Sequence, residues 1–138
     1  MPKNDFEIEN GVLYKYVGTD KNVIIPKEVK TIYEHAFTNT YYAETVVIPE
    51  SVEIIYGFAF AYCYTLKKVV IPGTVKEIKH NTFANCTKLE SVTIAKGVEK
   101  IGSGAFSSCT ALKSVELPES IKEIADEIEH LYNRLKKK

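Results

Sequence analysis

Residues Val69 to Ser91, VVIPGTVKEIKHNTFANCTKLES, decide the fold, because the chain repeats their pattern on both sides. Val69 has counterparts at Val23, Val46, Val92 and Val115, each 23 residues from the next. Ile71 has Ile25, Ile48, Ile94 and Leu117. Pro72 has Pro26, Pro49 and Pro118, with Ala95 as the one departure. Val75 and Ile78 recur as Val29, Val52, Val98, Ile121 and as Ile32, Ile55, Ile101, Ile124. Phe83 matches Phe37, Phe60 and Phe106, and Cys86 matches Cys63 and Cys109, with Thr40 first in that column. Leu89 matches Leu66 and Leu112, with Ala43 first. One copy has too little apolar surface to close a core, whereas stacked copies bury a continuous one, so the repeat predicts a solenoid.

Within the copy, Val69 in, Val70 out, Ile71 in reads as a half-buried strand. Pro72 ends it by removing a ladder donor. The step from Val75 to Ile78 returns two side chains to the core, and Phe83, Cys86 and Leu89 have roughly helical spacing, which predicts a short helical turn. Successive copies should lie about 4.8 Å apart, the strand spacing of a parallel sheet.

The pattern V-x-I-P-x-x-V-x-x-I-x-x-x-A-F-x-x-C-x-x-L resembles the BspA-type leucine-rich repeat, in register from residue 23 to about 124. Phe6 to Tyr16 resembles the segment that often precedes such repeats. The resemblance implies an α+β fold: a right-handed leucine-rich-repeat solenoid with a parallel β-sheet and short helical turns. It also implies adhesion or protein binding at a cell surface. Fold alone does not imply function.

Both ends read as caps. Asn10-Gly11 between two alternating segments is a strong hairpin signal, and residues 5–17 are expected to form a hairpin over the first copy. At the other end Glu129 stands where Phe is due, and Ile121, Ile124, Ala125, Ile128, Leu131, Tyr132 and Leu135 follow an amphipathic helical period. Early Asp126, Glu127 and Glu129 with late Lys136 to Lys138 suit the helix dipole. We therefore expect one domain over residues 1–138: an N-terminal cap at 5–22, four copies at 23–114, and a partial copy with a capping helix at 115–138.

The 138 residues carry 18 basic and 18 acidic side chains, for a net charge of zero. Such a balance argues against nucleic acid and anionic membranes, which require a basic footprint. No apolar run approaches the roughly 20 residues of a membrane span. The opening MPKNDFEIEN has no apolar leader, so the sequence as written shows no secretion signal, although a trimmed leader would look the same. Compartment stays open, with the resemblance pointing to a surface or secreted protein. Lys30, Glu53, Lys76, Glu99 and Lys122 alternate in sign down one column and Glu44, Lys67, Glu90 and Lys113 down another. Opposite charges on stacked neighbours attract, so these read as structural ladders.

No catalytic set converges, and no cofactor or metal is expected. Cys63, Cys86 and Cys109 share one column without zinc-ligand spacing and read as buried free thiols. His35, His80 and His130 form no recognisable constellation. Gly102-Ser103-Gly104 reads as a tight turn and not a phosphate loop.

Candidate binding residues come from asymmetry between copies. The outward strand column reads Ile24, Val47, Val70, Thr93, Glu116, apolar first and polar last, beside Lys67 and Lys68. Tyr33 and Tyr56 share a column, Tyr41 and Tyr64 another, and Tyr42 and Tyr62 lie next to it. Later copies hold Lys79, Gly102, Thr87, Thr110, Lys88 and Ser108 at the matching places. Aromatic residues outside core columns mark recognition surfaces. The candidate partner-binding residues are thus Tyr41, Tyr42, Tyr62, Tyr64, Val47, Val70, Lys67 and Lys68. Two plainer readings stay open: β-branched residues suit strands anyway, and the rings cover loose packing where Ala43 replaces Leu. The expected function is a non-enzymatic protein- or peptide-binding module, as a monomer or weak homodimer. The alternatives are a glycan or small-molecule receptor, and an engineered or trimmed scaffold with no partner.

Overall fold

The computed structural model describes residues 5–136. Lys137 and Lys138 of the expected basic helix end, the side chains of Glu127, Leu135 and Lys136, and Met1 to Asn4 lie outside the described residues. The chain opens with β1 (Phe6–Glu9) and β2 (Val12–Tyr16), an antiparallel hairpin. Its turn carries Asn10 and Gly11 at φ 53° and 80°, the left-handed conformation that suits strand twist and that glycine adopts freely.

Each turn of the solenoid then contributes two strands. The longer ones are β3 (Asn22–Ile24), β5 (Thr45–Val47), β7 (Lys68–Ile71), β9 (Ser91–Ile94) and β11 (Ser114–Glu116). They form one parallel five-stranded sheet, and each pairs with its equivalent 23 residues on, as Val46↔Val69↔Val92 shows. The shorter ones are β4 (Thr31–Ile32), β6 (Ile54–Ile55), β8 (Glu77–Ile78), β10 (Lys100–Ile101) and β12 (Glu123–Ile124). They form a second column of parallel pairs that is interrupted between β6 and β8, leaving one sheet ordered β1-β2-β4-β6 and another ordered β12-β10-β8. At the interruption the His80 ring lies over Gly57, where an added Cβ would come within 2.7 Å of its Nε2.

The fold class stands as expected, but the third side of each turn is not helical. Ala36-Phe37 and its equivalents lie in consecutive tight turns. Phe37 N–H donates to Ala59 O at 2.8 Å, Phe60 to Thr82 at 2.9 Å and Phe83 to Ala105 at 2.8 Å, all between copies. A helix would keep those bonds within the segment. It is excluded by two left-handed residues per turn, four apart: His35 and Asn39, Phe58 and Tyr62, Asn81 and Asn85, Gly104 and Ser108.

The core is a set of stacked columns. Phe37–Phe60, Phe60–Phe83 and Phe83–Phe106 stack at 4.7, 5.1 and 5.7 Å between ring centroids. Tyr16 from β2 extends this stack at 5.2 Å from Phe37 and is covered by Phe6 at 5.1 Å. Its hydroxyl accepts a bond from the Asp20 N–H at 3.1 Å. Burial raises the Tyr16 phenol above its ordinary range, the Asp20 N–H opposes that, and the Asp20 and Asp5 carboxylates add to it. The cysteine column is buried and free, as read from the sequence. Cys63, Cys86 and Cys109 each place Sγ 3.1 Å from the carbonyl of the Phe 26 residues earlier. Thr40, first in that column, instead bonds within its own copy, donating to Phe37 O at 2.6 Å, the same carbonyl that Cys63 reaches from the next copy. The stacked Cys86 thiol, then burial, pushes the Cys109 thiol well above its usual range. A further column of hydroxyls, Ser51, Thr74 and Ser120, donates to the carbonyl of Val29, Val52 and Val98 in the copy before.

The two caps differ. The hairpin does not cover the whole first copy. It joins the second column only, with β2 beside β4, because Val12 and Leu13 register with Thr31 and Ile32. At the other end α1 (Asp126–Lys136) packs Ile128 into the core and sits against β11. Ile121 and Ile124, although in phase with the helical pattern, belong to the last copy, where β12 pairs with β10.

Candidate functional site

The exposed large apolar and tyrosine side chains all fall between Tyr14 and Val70 among the described residues. They gather in three places around the first turns.

The first is on the tight turns. Tyr41 and Tyr64 stack with centroids 5.9 Å apart and planes 5° apart, and Tyr62 meets Tyr64 at 6.1 Å. Tyr41, Tyr42 and Tyr62 are exposed and Tyr64 is half-buried. Tyr42 turns towards a groove of about 310 Å³ that it shares with Tyr41, Thr38, Lys15 and Val17. Backbone geometry singles out Tyr62. Its position is left-handed in every full copy: Asn39 at φ 63°, Tyr62 at 63°, Asn85 at 61° and Ser108 at 58°. Asn tolerates this region, because its short side chain bonds locally, whereas a ring gains nothing from it. Phe58 is the same case in the column of His35, Asn81 and Gly104. The second copy thus holds two aromatic rings where the backbone favours neither.

The second place is the outer face of the five-stranded sheet. Ile24, Val47 and Val70 are exposed side by side, then Thr93 donates to the Glu116 carboxylate at 3.1 Å. Lys68 lies beside Thr45 in register. Lys67 is held by Glu44 at 3.5 Å, and Glu44 also reaches Lys21 at 3.9 Å, so the alternating column acts as a ladder at its start. Lys122–Glu99 at 3.7 Å belongs to the other charge column. The eight sequence candidates therefore sort into two groups, tyrosines on the turns and aliphatics with lysines on the sheet.

The third place was not among those candidates. Tyr14 of β2 meets Tyr33 at 5.2 Å, and Tyr33 meets Tyr56 at 5.5 Å, beside exposed Ile54. Tyr14 escapes the 23-residue register because the hairpin aligns with the first copy at an offset of 19, Leu13 with Ile32. Next to this ladder Phe58 lies between His35 at 5.4 Å and His80 at 5.5 Å. The two histidines, unrelated in the sequence reading, are thus brought to one ring. The His35 Nδ1 is 3.1 Å from Thr38 Oγ1.

Charge separates these faces. The tight turns 36–43, 59–66, 82–89 and 105–112 contain one charged residue, Lys88. They are otherwise Tyr, Thr, Asn, Ser and apolar groups. That run of octets with Lys88 as their single charge is a signal legible in the sequence once the turns are recognised. Beneath the helical cap a cleft of about 490 Å³ runs between Phe106, Cys109, Ile128 and Leu131, with His130 and Arg134 at its side. Among the described residues no three His, Cys, Asp or Glu side chains gather as metal ligands, and no helix is long and apolar enough to cross a membrane.

Comparison with known proteins agrees with this architecture. Among curated protein sequences none matches. The solved leucine-rich-repeat protein of T. pallidum superposes with a TM-score of 0.83 at 30% identity, covering 90% of this chain and 63% of its own. A leucine-rich-repeat protein of Bacteroides ovatus gives 0.73 at 29% identity over 93% of this chain and 35% of its own. A leucine-rich cell surface protein of Faecalibacterium prausnitzii gives 0.57 at 32% identity, over 76% and 34%. The chain therefore spans less than two thirds of the length of each of these three. The family profile of the BspA type leucine-rich repeat region matches residues 7–131 in 6 copies, one more than the 23-residue columns count, which agrees with the hairpin taking a place in the stack. The chain belongs to the BspA-type leucine-rich-repeat family.

Proposed function

We propose that the chain is a non-enzymatic module that binds a protein or peptide through the tight-turn face of its first two copies. Tyr41, Tyr62 and Tyr64 are its centre, and Tyr42 lies at its edge. The observation that carries this reading is Tyr62, a ring at a left-handed position where other copies use Asn or Ser. A residue kept in a costly backbone conformation is explained by its side chain's work. Charge supports the choice of face. Interface centres are depleted of charge and enriched in Tyr, as these turns are. On the sheet face Lys67 is already engaged by Glu44, so Lys67, Lys68, Val47 and Val70 are the rim of the proposed surface. One neighbour is a cell surface protein, which supports a surface setting for such a module.

The test replaces the tyrosines by the residues that the third copy uses: Tyr41→Thr, Tyr62→Asn and Tyr64→Thr, after Thr87 and Asn85. These variants keep the turn geometry. A partner retained by the immobilised wild type from its native source should be lost on the triple variant. Undiminished retention would sink the proposal. Binding to a glycan array that the same variant abolishes would move the ligand from protein to sugar.

A further inference from the structure

Modes of peptide recognition ask for different surfaces, and the tight-turn face of the first copies meets few of them. Strand addition needs open backbone groups. Here the turns spend theirs within and between copies: Ala61 N–H donates to Phe58 O at 3.1 Å, Tyr62 to Ala84 at 2.8 Å and Asn85 to Ser107 at 2.7 Å. Capture of a phosphate or an acidic motif needs a cluster of cations. The turns hold Lys88 alone, and Lys15, in the groove beside Tyr42, already reaches the carbonyls of His35 at 3.4 Å and Thr38 at 3.3 Å. An amphipathic helix is about 10–12 Å across and lays a long apolar stripe into its receptor. The groove is only about 310 Å³, and threonine and asparagine interrupt its rings.

A polyproline II segment asks for what is present. It has no internal hydrogen bonds, so its carbonyls need donors, and its proline rings pack on aromatic side chains. The rings of Tyr41, Tyr42 and Tyr62 are exposed on this face and carry hydroxyl donors. Asn39 is exposed and Asn85 half-buried on the same turns, and both carry amide donors. The four turns contain no carboxylate and one lysine, so an uncharged segment leaves no charge unpaired against them. Spacing agrees as well. A polyproline II helix returns a side chain to the same side every third residue, about 9 Å along. Tyr41 and Tyr62 both touch Tyr64, at 5.9 and 6.1 Å, so their separation is of that order.

We infer, resting on the binding face proposed above, that its partner presents an uncharged proline-rich segment in the polyproline II conformation. One proline enters the groove between Tyr41, Tyr42 and Val17, and a second, one turn along, packs on Tyr62. The tyrosine hydroxyls and the Asn39 and Asn85 amides donate to the carbonyls between them. The conformation is already populated in a free proline-rich chain, so little ordering opposes binding to a shallow face.

The probe is decaproline, titrated into the full chain and followed by amide NMR shifts. A dissociation constant on the order of 100 µM is expected, with shifts centred on residues 38–42 and 62–64. Tyr41→Thr and Tyr62→Asn should each weaken binding at least about fivefold. Tyr56→Lys, which changes the other tyrosine ladder, should leave it unchanged. A glycine–serine peptide of equal length should bind at least about tenfold more weakly, because it must be ordered first. Absence of shifts up to about 1 mM decaproline, the weak end of measurable association, would overturn the inference. So would equal binding of the glycine–serine peptide or of an amphipathic helical peptide, or decaproline binding that survives the triple tyrosine variant. A native partner lost on the triple variant, with decaproline inert, sinks this inference and leaves the binding face standing.

Discussion

The first two copies and the next two are built on one core and wear different surfaces. Phe37 and Phe60 stack in the same way as Phe83 and Phe106, and the thiols of Cys63, Cys86 and Cys109 bond equivalent Phe carbonyls in the copy before. Outside the core, the first pair places Tyr33, Tyr41, Tyr42, Tyr56, Tyr62 and Tyr64, where the second has Lys79, Gly102, Thr87, Lys88, Asn85 and their like. The lesson is a division of labour. Changes in the core columns are few, Thr40 for Cys and Ala43 for Leu among them, whereas exposed positions are free of packing and their differences between copies record something other than folding. Tyr62 records it most clearly, since the backbone there is better served by Asn85 or Asn39.

The largest test of that comparison is on the core. Phe60 is fully buried with a ring on both sides, so Phe60→Ala should cost about 3–5 kcal/mol in urea unfolding. Phe106→Ala should cost less, because the ring ends the stack and lines the open cleft under α1. Equal costs would show that the helical cap packs as tightly as a further copy. Next in size is Tyr62→Asn, which should raise stability by about 1 kcal/mol as the left-handed strain is relieved. A loss of stability would return the tyrosines to a packing role. The mirror change, Asn85→Tyr, should lower stability by a similar amount and sharpen the contrast between copies. Smallest is Glu44→Gln. It removes the charge between Lys21 and Lys67, and both lysines are largely exposed, so thermal melts should shift by less than about 0.5 kcal/mol and still less at high salt.

Much of the fold was legible. The valine, isoleucine and phenylalanine columns sit in the core as their spacing requires, and Asn10-Gly11 turns the hairpin. The cysteines are buried because one column occupies one place. The turn conformation was missed for a physical reason: the i, i+3 spacing of Phe83, Cys86 and Leu89 occurs both in a helix and in consecutive tight turns. What separates them is the pair Asn81 and Asn85, residues that accept left-handed backbone. For the candidate site, the stacking of Tyr41 on Tyr64 follows from their column, but Tyr14 joins Tyr33 only because β2 pairs with β4 at a different offset.

Periodicity by itself determined that this protein is a solenoid, how many copies follow the hairpin, and which side chains they bury, because a repeated apolar column can be satisfied only by stacking. The sequence also showed where the copies differ. The tertiary structure alone decided which sheet the hairpin would extend, that the second column would break between Ile55 and Ile78, and that His35 and His80 would meet at Phe58. These are matters of registry between elements of unlike length, and they turn largely on backbone hydrogen bonds that all residues but proline offer alike.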